Sequence, residues 1–308
     1  MRIWVTGGSG FVARRLVPRL ERAGHEVVAT DRDVDVADAG AMDAAARRIA
    51  PEAVIHLAAL SSVATSWREP GNVYRVNFLG AVALLRVVEA RCPAARVLLV
   101  SSSDIYGSAA PGATPFVESD PLCPASPYAR TKAAAELLGA DAARRGLDVV
   151  RVRAFSHTGA GQSDQFVASS FARQIAEIAA GRGKDGAQLQ VGNLDSVRDL
   201  LDVDDVVEAY VGLLDPSVPT DVYNVARGEG VEIRTILETL LEISGVKPEI
   251  VPDPRRMRPT SWSVGDASKL HGVTGWAPRI PLAETLRGLL DDWRRRIAGG
   301  ESASVSAS

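Results

Sequence analysis

Tyr128 and Lys132 stand four residues apart in a stretch of helical pattern, so their side chains share one face. A lysine cation beside a phenol favours the phenolate and draws its pKa from about 10 toward neutrality. Such a tyrosine takes a proton from an alcohol or gives one to a forming alkoxide. Ser102 follows an apolar run at 96–100, and its hydroxyl can hold the oxygen that gains or loses the proton. Asp104, two residues further, either orders this loop or serves as an additional base. A Tyr-x-x-x-Lys spacing is a common coincidence by itself; a second pattern far upstream makes it specific.

That second pattern is Thr6-Gly7-Gly8-Ser9-Gly10-Phe11-Val12-Ala13, lying between a short apolar run at 2–6 and a helical repeat. Gly7 can take the tight turn, and Gly10 lets the backbone approach a diphosphate. The N–H groups of the helix start, at Phe11 and Val12, then face negative charge. Asp31 ends the second strand, where a carboxylate accepts hydrogen bonds from ribose hydroxyls and repels a 2′-phosphate. Arg32 follows directly and counters that repulsion. The residues point to a nicotinamide dinucleotide, NAD ahead of NADP.

Holding these groups together requires a sheet. Strand patterns at 2–6, 26–30, 53–57, 96–100 and 147–152 alternate with helical patterns up to 24 and at 40–50, 67–91 and 128–145, and a short strand is expected near 34–36. Strict alternation predicts an α/β fold, a Rossmann-type doubly wound parallel sheet whose ligands lie at the carboxyl ends of its strands. The second half is less regular, with helices at 165–180, 203–214, 233–244 and 282–297, a polar turn at 181–186 and a proline- and arginine-rich loop at 252–259. Residues 1–155, with about 194–225, are read as the dinucleotide-binding domain. Residues 156–193 and 226–298 form a smaller C-terminal α/β substrate-binding region, and 299–308 a disordered tail.

Composition sets the outer bounds. With 308 residues, 46% of them hydrophobic, the chain can bury a substantial core. A formal charge of −3 leaves no basic stripe for nucleic acid or anionic lipid. No apolar stretch approaches the ~20 residues of a membrane span. Cys92 and Cys123, each followed by proline, are too few for a disulfide framework or a zinc site, and no metal is expected. The opening strand runs straight into glycines, so no signal peptide is read, and a soluble, cytoplasmic protein is expected.

Taken together, the segments resemble the extended short-chain dehydrogenases/reductases that act on nucleotide sugars. The matching pieces are the glycine string, His56-Leu57-Ala58-Ala59, the segment 101–107, Tyr128 with Lys132, Arg198-Asp199 and Gly275-Trp276-Ala277-Pro278. The resemblance implies that Tyr128, Lys132 and Ser102 are catalytic and that Leu57, Ala58 and Ala59 line the cofactor. It further implies that Asp35 and Val36 contact the adenine, and that the helices at 67–91 and 128–145 pair into a homodimer. Val73, Val76, Ala83 and Leu84 give the first of those helices an apolar stripe.

Three features resemble the branch of GDP-mannose 4,6-dehydratases and GDP-4-keto-6-deoxymannose reductases. They are Phe155-Ser156-His157, the segment 197–202, and Arg258-Pro259-Thr260 followed by Gly265-Asp266-Ala267-Ser268-Lys269. Arg198 and Arg258 suit the diphosphate of a sugar nucleotide. Ser156 stands where the branch has asparagine at the substrate, and Asp104 where its dehydratases carry a glutamate one methylene longer. The shorter acid, and the short passage from Thr30 to Val36, favour reduction of the 4-keto group of a GDP-4-keto-6-deoxyhexose. A 4-epimerase or 4,6-dehydratase is the alternative. A dinucleotide-binding module without turnover is a third reading, which the presence of Ser102, Tyr128 and Lys132 opposes.

Overall fold

The computed structural model describes residues 1–183 and 187–300. The turn expected at 181–186 lies partly outside these residues, and the tail expected at 299–308 lies outside them from 301 onward. The first half alternates as the sequence predicts: β1 (Arg2–Thr6), α1 (Ala13–Arg22), β2 (Glu26–Thr30), α2 (Ala39–Ile49), β3 (Ala53–His56), three helices described below, β4 (Arg96–Ser102), α6 (Pro127–Arg144) and β5 (Val149–Ala154). The strands form one parallel sheet in the order β2-β1-β3-β4-β5-β9, where β9 (Val222–Val225) comes from much later in the chain.

Parallel strands covered on both faces must be apolar on both faces. Ile3, Val5, Ile55, Leu98 and Val152 turn to one side and pack with Leu16 and Leu20 of α1 and with Val206 and Tyr210. Trp4, Val54, Val97 and Leu99 turn to the other and pack with Met42 of α2, Leu84 and Ala135. This two-sided burial fixes the register of the strands, because a slip of one residue would exchange the two sets.

Two local expectations are corrected. Residues 34–36 form no strand: the Val34 N–H closes a turn on the Asp31 carbonyl, and Val34 and Val36 bury themselves beside Met42 and Leu84. Asp38 then caps α2 by accepting from the N–H groups of Gly40 and Ala41. The single helix expected over 67–91 is broken into α3 (Val63–Arg68), α4 (Pro70–Val73), a π-helical turn at Tyr74–Leu79, and α5 (Gly80–Arg91). Pro70 has no N–H to continue the ladder and starts a new helix instead, and the π-turn then widens the next one.

The second half builds a smaller lobe from β6 (Ser156–Thr158), α7 (Val167–Ala179), β7 (Gln188–Val191), β8 (Val197–Asp202), β10 (Gly230–Glu232), α9 (Ile233–Ser244), β11 (Glu249–Pro252), β12 (Trp262–Ser263) and α11 (Leu282–Ala298), while α8 (Val203–Gly212) and α10 (Ser268–Thr274) return to pack on the parallel sheet. Strand β8 is its centre, antiparallel to β10 and parallel to β12 and β6. Helices α7, α9 and α11 enclose a separate core around Phe171, Ile236, Leu290 and Trp293. Where the chain passes between lobes, Gly265 lies against the Phe155 ring so closely that a Cβ would come within 2.3 Å of it.

Candidate active site

The sheet order sets the carboxyl ends of β1, β3 and β4 side by side, with Thr6 in register with His56 and His56 with Leu99. The glycine turn leaves β1 at Gly7, whose φ of +73° is left-handed. A Cβ there would meet the Ala58 nitrogen at 2.8 Å, so the turn is pressed onto the 57–59 segment. The Leu57 N–H donates to the Thr6 carbonyl at 3.2 Å, and the Ala58 N–H approaches the Thr6 hydroxyl at 3.4 Å. Ala59 continues the same partly buried segment. Val12 is the N-cap of α1; no side chain caps this end and no acid lies in its first turn. A bare helix start beside a glycine cradle fits a diphosphate.

Asp31 is brought to this turn, accepting from the Ser9 N–H at 2.7 Å, and Arg32 follows it. The Asp35 carboxylate pairs with Arg75 at 2.7 Å, and a backbone bond from Ala37 together with that arginine holds it below its ordinary value. Val36 packs on Gly80. Phe11 stacks on His157, rings parallel within 4° at 6.2 Å, which ties the glycine turn to the second lobe.

Ser102 ends β4 and turns the chain into a short 3₁₀ turn, Ser103–Tyr106, accepting from the Asp104 N–H at 3.2 Å. Ser126 caps α6 through the Ala129 N–H, with Pro127 at its first position, so Tyr128 and Lys132 lie in the first two turns. Both are under one-tenth exposed. Burial raises the Tyr128 phenol well above its ordinary value, the Asp104 carboxylate adds to the rise, and a hydrogen bond with Ser102 offsets part of it. The expected fall of this pKa is therefore corrected for the protein's own charges. Lys132 does not turn onto the phenol; its ammonium donates to the Val100 carbonyl at 2.5 Å. Burial lowers Lys132 to about 8, against the pull of Glu136, one helical turn beyond it.

Below this pair sits His56, whose Nδ1 bonds the Thr6 hydroxyl at 2.8 Å and whose Nε2 is buried without a partner. Burial, with Lys132 nearby, lowers it to about 3 and keeps it neutral. Sequence reasoning passed over Asn77, which the π-turn aims inward. It accepts from the Leu60 N–H at 2.8 Å and donates to the Leu60 carbonyl and the Thr131 hydroxyl, each at 3.1 Å. An asparagine flanked by the apolar Val76 and Phe78 was the available signal.

The substrate-side residues come together less closely. Asp104 is exposed to solvent at its surface, yet protein surrounds it closely enough that lost hydration raises its carboxyl, while Arg198 partly offsets this. Arg198 lies on β8 and is clamped by the Val197 carbonyl at 2.8 Å and the Ser261 hydroxyl at 2.6 Å. Ser156 opens β6, in register with Leu200. Arg258 is exposed on the loop before β12 and donates to its own loop's carbonyls at Arg255 and Met257. Asp199 is fully buried and structural: it accepts from the N–H groups of Arg227, Gly228 and Gly265, and burial raises it to about 6. Among the described residues, no group of histidine, cysteine, aspartate or glutamate is placed to hold a metal, and no helix is long and apolar enough to cross a membrane.

Pairing a glycine turn under one strand with a tyrosine–lysine helix beside the next ones is the hallmark of the extended short-chain dehydrogenases/reductases, and the molecule is of that class. Comparison with known proteins narrows it. A family model described as GDP-mannose 4,6 dehydratase matches residues 32–289, and the chain belongs to that family. It is 38% identical to the GDP-6-deoxy-D-mannose reductase of Pseudomonas aeruginosa, over 96% of this chain and 98% of that protein. The structure of RMD from Pseudomonas aeruginosa complexed with NADPH superposes with a TM-score of 0.87 at 37% identity, covering 96% of this chain and 98% of the other. The UDP-glucose 4-epimerase of Thermus thermophilus, in complex with NAD, gives 0.84 at 30% identity, covering 96% and 99%.

Proposed function

We propose that the protein reduces the 4-keto group of a GDP-4-keto-6-deoxyhexose at the expense of NAD(P)H. The carrying observation is the buried start of α6, where Tyr128 and Lys132 lie one turn apart beside Ser102 at the end of β4, with burial favouring the neutral Tyr128 phenol. A protonated acid beside a hydroxyl donor is what a carbonyl oxygen needs as it becomes an alkoxide. The relative named GDP-6-deoxy-D-mannose reductase supports the same reading of the substrate.

The glycine turn, the bare start of α1, Asp31 and the 57–59 segment would hold the dinucleotide, which supplies the hydride that C4 receives. Ser102 and Tyr128 orient the C4 oxygen. The C=O π bond breaks, a C–H and an O–H bond form, and the proton passed from Tyr128 is replaced from solvent. Lys132, under the same edge, offers its ammonium to a ribose hydroxyl. Residues 156–193 and 226–298, with Ser156 and Arg258, take the sugar nucleotide in this reading, joined by Arg198 from β8 between them.

We assign the protein to a homodimer, cytoplasmic in location. The stripe of Val73, Val76, Ala83 and Leu84 does not support the dimer, since Val73, Ala83 and Leu84 are buried and Val76 partly buried against the protein's own core. The same helical layer instead exposes Leu79 and Leu137, 47% and 62% accessible, and these support it. Light scattering that returns one chain mass at micromolar concentration would overturn the assignment.

A 4-epimerase is the second reading, favoured by the Asp31 carboxylate at Ser9, which suits NAD. Incubation with GDP-, UDP-, dTDP- and CDP-sugars, including 4-keto-6-deoxy forms, separates the two. Reduction consumes one NAD(P)H per sugar, and epimerisation consumes none.

A further inference from the structure

Behind the tyrosine–lysine pair lies a polar cluster that the proposed chemistry does not use. Glu136, 3% exposed on α6, is gripped by Arg153 of β5 through three bonds of 2.6, 3.0 and 3.2 Å. Arg153 also donates to the Tyr106 hydroxyl at 2.7 Å and to the Glu118 carbonyl at 2.9 Å, and stacks over the Tyr106 ring. The Tyr106 hydroxyl donates in turn to Asn224 of β9 at 2.8 Å. Tyr106 closes the same short turn that carries Asp104, so the cluster joins the catalytic helix to the catalytic turn.

A buried ion pair is a poor device for stability, because apolar residues of the same volume commonly do as well or better. The clamp therefore needs another account. Its bonds allow a carboxylate to stay charged in the protein interior, and that carboxylate stands on the face of α6 that carries Lys132, one turn away.

We propose that Glu136 is a positioning residue, whose clamped carboxylate keeps the Lys132 ammonium protonated across the working pH range. The proposal rests on the reductase reading only for what that ammonium is used for. The groups that act on or with Lys132 are Glu136 on its own helix and His56 on β3; Tyr128 lies one turn before it, with Asp104 of the adjoining turn acting on that phenol, and Arg153 of β5 is paired with Glu136. His56 is held neutral by burial, and the Arg153 guanidinium, paired with Glu136, offsets part but not all of that carboxylate's pull on the lysine. Burial works against the lysine's charge and Glu136 for it.

The test follows the lysine proton directly. The chain holds four lysines, so lysine-selective carbon labelling gives few NMR signals, and Lys132→Met assigns the one of interest. In Glu136→Gln the Lys132 titration should move to lower pH by about one unit, a roughly tenfold weaker hold on the proton. The alkaline limb of the kcat profile should move with it, while kcat on the acid side stays within about threefold. A purely structural role predicts one loss at every pH and an unmoved lysine signal, and that result overturns the proposal. If the glutamine variant does not fold, Glu136→Asp decides. Drawing the charge back by one methylene should move the midpoint the same way by a smaller amount, and an unmoved midpoint there overturns it too. Because the NMR titration uses no substrate, it stands or falls apart from the reductase assignment.

Discussion

The carboxyl edge of the parallel sheet and the 254–261 loop of the second lobe each carry a cation read as ligand-binding, and they hold it differently. Lys132 is buried on a capped helix, with its ammonium fixed on the Val100 carbonyl. Arg258 lies exposed, bonded to carbonyls of its own loop. The first cation is set by packing that exists before any ligand arrives. To bind a phosphate as proposed, the second would have to exchange its own backbone partners for it. In the proposed reading the bond-making groups sit on regular elements, Ser156 and Arg198 on strands of the second lobe, and Arg258 alone of the proposed substrate residues on a loop that can vary without disturbing them.

If this division is right, substitutions at the sheet edge strike turnover and stability, and those in the loop strike affinity. The largest expected effect is from Tyr128→Phe, which keeps the ring but removes the proton. Turnover should fall ~10²–10⁴-fold while dinucleotide binding, followed by fluorescence titration, stays nearly unchanged. Undiminished turnover would move the proton donor elsewhere, with Asp104 the next residue to test.

Gly7→Ala tests the cradle. The residue is left-handed and its new methyl would press on the Ala58 backbone. About 2 kcal/mol or more of stability should be lost, with dinucleotide affinity weakened about tenfold, as read by thermal melts with and without ligand. Normal binding by a folded alanine variant would mean that the turn does not face the diphosphate.

His56 gives the edge a signature in pH. Its folded pKa, about 3, lies below the ordinary value of 6.5, so below pH 6.5 the unfolded chain binds the extra proton. Stability is intact above that value and falls progressively as pH drops toward the folded value. By pH 5 this one group should cost ~2 kcal/mol. Urea titrations at pH 7 and pH 5 should show the loss, and His56→Asn should remove most of the difference between them.

On the loop side, Arg258→Ala should raise KM for the sugar nucleotide about tenfold and leave kcat in place, because a contact equal in ground and transition states affects binding alone. A fall in kcat instead would erase the contrast between the two regions. Smallest of all, Asp31→Ala should narrow a preference for NAD over NADP by a few-fold, since a partly exposed carboxylate acts through screened charge. Tighter NADP binding by the native protein would show that Arg32 dominates.

Legibility in the sequence follows the same division. Strands β1, β3 and β4 were readable because two-sided burial writes near-continuous apolar runs, β2 and β5 from their valines, and the tyrosine–lysine spacing needs only helical geometry. Val34 and Val36 misled because a turn with two buried valines has a strand's composition. Pro70 carried a signal for a break that the single-helix expectation over 67–91 passed over, while the π-turn after it, and with it the inward aim of Asn77, depends on packing against α6. Glu136 carried a local signal, a carboxylate one turn past Lys132, but its meaning depends on Arg153, 17 residues away and on another element. The short strands β6, β10 and β12 have two or three residues each, too few for periodicity to register, and they set the places of Ser156, Arg198 and the 254–261 loop.

The central claim is a direct transfer of hydride to C4 of a GDP-4-keto-6-deoxyhexose. Carbon-deuterium analysis tests it most directly: NADPH or NADH carrying deuterium at the transferable position is incubated with the protein and that sugar, and the product is examined by NMR. The account predicts one deuterium at C4 per molecule of product and one oxidised dinucleotide formed with it. Product without deuterium at C4, or conversion of the sugar with no net oxidation of the dinucleotide, would contradict it.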